Sequence, residues 1–128
     1  MTLVIDFEGF EPETRPGTLS TWSPGDDGVW VLDTQDTGGD TVYTVNNVTG
    51  TTVLDVLLAA AEAAGLDVEH HQEGMGAFVD SIDGIENGRD DHHWSYYVND
   101  EYGSIASDRA NVADGDVVRW VYLGNPFG

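Results

Sequence analysis

One stretch of this chain, Thr51 to Gly65, carries apolar residues at helical spacing, while most of the regular sequence around it alternates with the two-residue period of a strand. Val53, Leu57, Ala60, Ala61 and Ala64 form the helical stripe. Thr52 is placed to cap the first turn, and Asp55, three residues later, sits at the positive end of the helix dipole. Gly65 supplies the left-handed terminator. A lone amphipathic helix cannot bury its stripe by itself; flanked by strands, it has to lie on a sheet. The expected class is therefore α+β.

The strands are read from the same alternation. Leu3, Ile5 and Phe7 alternate with Thr2, Val4 and Asp6, which suits a first strand with one buried face. Val29–Leu32 and Thr41–Val45 are short β-prone runs, and the Asp/Thr/Gly segment Asp33–Asp40 between them reads as a hairpin loop. The stretch Gly9–Asp27, with Pro12, Pro16 and Pro24, is expected to be a surface excursion without a central strand. After the helix, Leu66–His70, Ala77–Ile82, His93–Val98 and Val117–Leu123 read as strands, separated by Gly74/Gly76, Asp83-Gly84, Asn99–Gly103 and Asp114-Gly115. No repeat is visible, and 128 residues suit a single domain spanning 1–128.

Charge narrows the class further. Acidic residues outnumber basic ones 24 to 4, lysine is absent, and the net charge is −20, with Arg15, Arg89, Arg109 and Arg119 as the only fixed cations among the side chains. Such a surface repels itself in dilute buffer, whereas molar salt shortens the screening length to roughly 3 Å. This is the composition of a halophilic protein. Four Trp and five Tyr, set in regular alternation, argue for a folded core over acidic disorder. Without a basic patch, nucleic acid and anionic lipid are disfavoured as partners. The absence of cysteine removes disulfides and thiolate metal sites. No apolar run is long enough to span a bilayer, and no signal peptide is visible, so no membrane insertion by this chain is expected.

Four pieces occur in fixed order: T-T-V-L-D-V-L-L-A-A-A from Thr51, S-I-D-G-I from Ser81, W-S-Y-Y-V-N-D from Trp94 and D-G-D-V-V-R-W-V-Y from Asp114. In that order they resemble the transcobalamin C-terminal-like domain family, here in an acidic member of haloarchaeal type. The resemblance is strongest over 41–123 and weakest over 9–32, and Met1 to Phe7 is similar to the family's first strand. It implies a β-grasp-like mixed sheet packed on a single main helix. It also implies a non-enzymatic small-ligand binding module, with a corrinoid such as cobalamin as the ligand and a cell-surface or extracellular location; Met1 would then stand where a signal or anchor segment has been removed. In transcobalamin-type proteins a separate helical domain helps to cover the cobalamin. This chain contains no such domain, so a second protein domain is an expected partner.

Trp94, Tyr96 and Tyr97 are the candidate ligand-contacting residues, since aromatics offer large rigid surfaces and phenols add directional hydrogen bonds. Asn99 joins them through the resemblance. Alternation puts Trp94 and Tyr96 on one strand face and Tyr97 with His93 on the other, and the plain alternative for each is core packing. Trp120 and Tyr122 would extend the same aromatic surface if the last strand neighbours the Trp94 strand. His70-His71 and Asp90-Asp91-His92-His93 hold every histidine and leave a metal-dependent module using these pairs as a third reading, but adjacent strand residues face opposite ways and neither H-E-x-x-H nor H-x-H occurs, so no metal site is expected. The Asp26-Asp27 and Asp33/Asp36/Asp40 groups lack a calcium-loop register. No G-x-S-x-G elbow, cysteine nucleophile or phosphate loop supports an enzyme. Ubiquitin-type conjugation is disfavoured because the sequence ends Asn125-Pro126-Phe127-Gly128 instead of in diglycine. The rival to ligand binding is a structural or adhesive surface module that binds protein, or a copy of itself, through exposed aromatics and a strand edge.

Overall fold

A computed structural model of the protein describes residues 1–74 and 76–124; the expectation drawn from the Asn125–Gly128 terminus lies outside them. In chain order the strands are β1 (Thr2–Asp6), β2 (Thr18–Pro24), β3 (Trp30–Asp36) and β4 (Val42–Val45), followed by the helix α1 (Val53–Ala64). There follow β5 (Val68–Glu73), β6 (Gly76–Ile82), β7 (Ile85–Glu86), β8 (His92–Val98), β9 (Glu101–Tyr102) and β10 (Val117–Gly124). Seven strands form one sheet in the order β3-β2-β4-β1-β10-β8-β9, and β5-β6-β7 form a second, antiparallel one. The large sheet is mixed, because β1 with β10 and β2 with β4 run parallel while its other pairs are antiparallel. This is an α+β architecture with a single α-helix among the described residues.

The helix follows its sequence signals. The Thr52 hydroxyl accepts the Asp55 N–H at 3.2 Å, and Gly65 turns left-handed at φ 71°. Leu66 then donates its N–H back to the Ala61 carbonyl at 2.8 Å, so this buried residue closes the helix instead of opening the next strand. That is why β5 begins at Val68 and not at Leu66. Val53, Leu54, Val56, Leu57, Ala60 and Ala61 are buried against one face of the large sheet, where α1 meets β1 and β4.

Two expectations fail in the first 45 residues. Thr18–Pro24 is a strand inside the sheet, between β3 and β4, and not a surface excursion. The prolines permit it, because Pro12 and Pro16 precede the strand and Pro24 ends it. Its inward residues are Thr18, Ser20 and Trp22, with the Thr18 and Ser20 hydroxyls 2.8 Å apart, while Leu19 faces out; this inverted polarity hid the strand. The hairpin is also displaced. β3 runs through Asp36 and pairs with β2 across a turn in which Gly25 donates to the Val29 carbonyl, so Asp33–Asp36 is strand and not loop.

The S-I-D-G turn anchors this N-terminal region. Asp83 and Gly84 both take positive φ, and a Cβ on Gly84 would lie 2.5 Å from Glu13. The buried Asp83 carboxylate accepts the Thr14 N–H and the Tyr43 hydroxyl, both at 3.1 Å, together with the Thr14 hydroxyl. Its backbone N–H is satisfied by Asp67 and its carbonyl by Glu13. Burial, and then the Asp83 charge, push the Tyr43 phenol well above its ordinary pKa.

Candidate functional site

The inner face of the large sheet is not covered evenly. Alternation lines up Tyr43 and Val45 on β4, Leu3 and Ile5 on β1, Trp120 and Tyr122 on β10, and Trp94 and Tyr96 on β8. The helix covers the β1/β4 part, and the small sheet approaches through β6, which meets β8. Between β6, β8 and the segment 102–109 lies a cavity of about 650 Å³. Trp94, Tyr96 and Trp120 form its large-sheet wall, Ala77, Phe78 and Val79 its small-sheet wall, and Tyr102 and Ile105, 59% and 55% exposed, stand at its rim.

The wall is held by hydrogen bonds between elements. The Trp94 indole N–H donates to the Ile85 carbonyl at 2.8 Å, and the Tyr96 hydroxyl donates to the Ile105 carbonyl at 2.6 Å. Burial raises the Tyr96 pKa, so its proton stays in that bond at neutral pH. Asn87 accepts the Trp94 backbone N–H at 2.8 Å and donates to the Val79 carbonyl at 2.7 Å, tying β8 to β6. Gly103 is required because a Cβ there would lie 2.1 Å from the Tyr96 ring.

Two wall residues carry enclosed polar atoms without a hydrogen-bond partner among the described residues: Nε1 of Trp120 and Oγ of Ser107. In folded proteins such atoms are few, and each left unpaired costs about 1–3 kcal/mol. The wall also has an unusual charge. None of its described residues is acidic, in a chain where 24 of 128 residues are, and its one fixed cation is Arg109.

The four sequence candidates are not brought together. Trp94 and Tyr96 stand in the cavity wall. Tyr97 is on the opposite sheet face, beneath the Arg119 guanidinium at 5.0 Å and edge-on to Tyr102 at 5.6 Å. Asn99 lies in the β8–β9 turn at φ 49°, where its side chain donates to Asp116 and accepts the Val117 N–H, both at 2.9 Å. Neither residue lines the cavity. β10 does neighbour β8, and Trp120 lies opposite Tyr96 with ring centroids 5.4 Å apart. Sequence reasoning missed the Asn87 brace, the Gly103 approach and the Ser104–Arg109 segment, where Ser107 is buried without an alternating pattern to announce it.

The histidine pairs lie on different sheets, on β5 and β8. Both ring nitrogens of His71 face carboxylates, Asp80 at 2.8 Å and Glu73 at 2.9 Å. These bonds raise its pKa, Asp80 first, and favour an imidazolium with no free lone pair for a metal. His92 stacks on Tyr122 at 5.4 Å. Among the described residues no group of three or more His, Asp or Glu has a geometry that could hold a metal ion.

Residues 50–124 match the family described as a domain of unknown function (DUF4430). The chain belongs to this family. The match starts at the helix cap and ends with β10, so it contains the whole cavity wall and leaves β1 to β4 outside. Among solved structures the chain is similar to haptocorrin in complex with Cbi, with 20% identity and a TM-score of 0.50 over 83% of this chain and 25% of that one. It thus spans about a quarter of the haptocorrin chain, and the likeness is one of fold. A candidate metal-binding protein from Ruminococcus gnavus is similar at 16% identity and a TM-score of 0.48, over 84% of this chain and 97% of that one. A search of curated proteins gave no match.

Proposed function

We propose that this DUF4430 chain is a non-enzymatic small-ligand binding module of β-grasp type, adapted to molar salt and exposed at the cell surface. The observation that carries the reading is the cavity of about 650 Å³, within the roughly 300–1,000 Å³ range of small-molecule sites, with Phe78, Tyr102 and Ile105 exposed at a wall that holds no described acid. The salt adaptation is supported by the charge of −20 and by arginines that make no ion pair among the described residues.

A corrinoid is the ligand suggested by the shared fold with haptocorrin and by the resemblance to transcobalamin-type domains. The cavity alone covers one side of so large a molecule, so this variant of the reading requires a second covering domain. The test is a thermal-shift screen of small molecules at 2 M KCl, corrinoids included, since a ligand that binds only the native state raises the midpoint by mass action. Binders should lose their effect in a Tyr102→Ala/Ile105→Ala variant. A screen without hits, or hits indifferent to that variant, would remove the reading.

The adhesive alternative is favoured by one feature, the edge strand β3, on which Val31 is 57% exposed and just before which Val29 is 63% exposed. Asp33 and Asp36 on the same edge oppose it. Concentration-dependent self-association in sedimentation, lost in Val31→Lys, would favour it.

A further inference from the structure

The four arginines do not have equivalent surroundings. Arg15 lies over Trp22 at 6.0 Å, Arg89 over Phe10 at 5.5 Å and Arg119 over Tyr97 at 5.0 Å, so three cations rest on aromatic faces. Arg109 has neither a ring beneath it nor a carboxylate paired with it among the described residues, and it is the one that stands in the cavity wall. Its sequence neighbour Asp108 forms no ion pair with it. The Asp108 carboxylate is turned to the Ala77 N–H, at 2.9 Å.

An exposed guanidinium left free in a chain of charge −20, beside a wall without a single described acid, is a local inversion of the protein's charge. The apolar surface that the cavity offers is supplied by Phe78, Tyr102 and Ile105, which are 42%, 59% and 55% exposed. Exposed apolar side chains and one cation unpaired among the described residues, on a wall without a described acid, are the complement of a molecule with an apolar body and a single anionic group.

We propose that the cavity binds an aromatic carboxylate, its ring system lying against Phe78, Tyr102 and Ile105 and its carboxylate meeting the Arg109 guanidinium. This rests on the reading of the cavity as a ligand site and narrows it to a chemical class. An Arg fork matches a carboxylate with two parallel hydrogen bonds, a match that a hydroxyl of the same shape cannot make.

The experiment compares 2-naphthoate with 2-naphthylmethanol by calorimetric titration of the full chain at 1 M KCl, for the wild type, Arg109→Gln and Ile105→Ala. Naphthoate should bind the wild type about fivefold more tightly than the alcohol. Arg109→Gln, at an exposed position where folding is unaffected, should abolish that preference and leave alcohol binding unchanged. Ile105→Ala should weaken both probes alike. Equal wild-type affinities, or a preference that survives Arg109→Gln, would overturn the proposal while leaving a ligand site in place. Binding of neither probe at millimolar concentration, or binding of both that ignores Ile105→Ala, would overturn the cavity as the site and this proposal with it.

Discussion

Asp83 and Trp120 are both almost wholly buried, at 3% exposure each, but their polar atoms have opposite surroundings. Around Asp83 both carboxylate oxygens are engaged, one by the Thr14 hydroxyl and the other by the Thr14 N–H and the Tyr43 hydroxyl. In the cavity wall Trp120 Nε1 and Ser107 Oγ have no partner. Burial in a low-dielectric interior strengthens a completed network and penalises an incomplete one. The first region is therefore finished as structure, and its role is to fasten the 13–14 segment and β4 onto the S-I-D-G turn. The second leaves two enclosed donors unmet among the described residues, a cost in stability that the fold carries.

The largest effect should come from opening the finished region. Asp83→Ala leaves the buried Tyr43 hydroxyl and the partly buried Thr14 N–H without their acceptor, and a loss of about 3 kcal/mol, or roughly 10 °C in midpoint, is expected in thermal melts at 2 M KCl. A loss below about 1 kcal/mol would mean that water replaces the carboxylate freely, and the contrast with the cavity would disappear.

The cavity should respond to crowding. Gly103→Ala places a methyl group 2.1 Å from the Tyr96 ring, so the ring has to leave its position and its bond to Ile105. Overpacking of this kind costs about 2 kcal/mol. The near-ultraviolet dichroism should change in step with the melt. An unchanged spectrum and midpoint would show that the 101–109 segment yields easily and that the wall is not preorganised.

These two sites show what could be read from the sequence. The helix, its Thr52 cap and its Gly65 stop follow from local spacing, and so does the alternation that sends Trp94 and Tyr96 inward. That β10 would lie beside β8 could be stated only as a condition. The β2 strand escaped because its buried positions are Thr18 and Ser20, which look solvated until the partner hydroxyl is known. The Asp83 clasp escaped for a similar reason: in a chain with 24 acids, one buried carboxylate carries no mark in the sequence. Tyr97 and Asn99 drew attention through motif position, while Ser107 and Arg109 sit in a segment without period. Charge inversion at the cavity can be seen only once the wall is assembled.

Alkaline pH should act mainly through the phenols. Burial raises the Tyr96 and Tyr122 pKa values, and burial with the Asp83 charge raises that of Tyr43. A folded pKa above the unfolded value of about 10 means that this stability is present in full below pH 10 and is lost as pH rises through the folded values. Melts between pH 9 and 11.5 should therefore decline. Tyr43→Phe should lessen the slope by at most about 1.4 kcal/mol per pH unit, the limit for one proton. An identical slope would place the alkaline sensitivity in the cavity phenol Tyr96 or in Tyr122, and would weaken the claim that Asp83 holds a neutral Tyr43.

The smallest effect should have the opposite sign. Ser107→Ala removes a buried hydroxyl without a partner and keeps the backbone carbonyl that accepts the Leu54 N–H at 3.0 Å. The protein loses the desolvation penalty of that hydroxyl and little packing, so the ligand-free midpoint should rise, by up to about 1 kcal/mol in stability. The same variant should bind 2-naphthoate as the wild type does, because that enclosed hydroxyl does not open to the cavity. Stabilisation with unchanged binding is the signature of an unmet polar group enclosed in the wall. If Ser107→Ala instead destabilises by 1 kcal/mol or more, the hydroxyl has a partner within the protein. The cavity wall would then be completed structure of the Asp83 kind, and the contrast between the two regions would disappear.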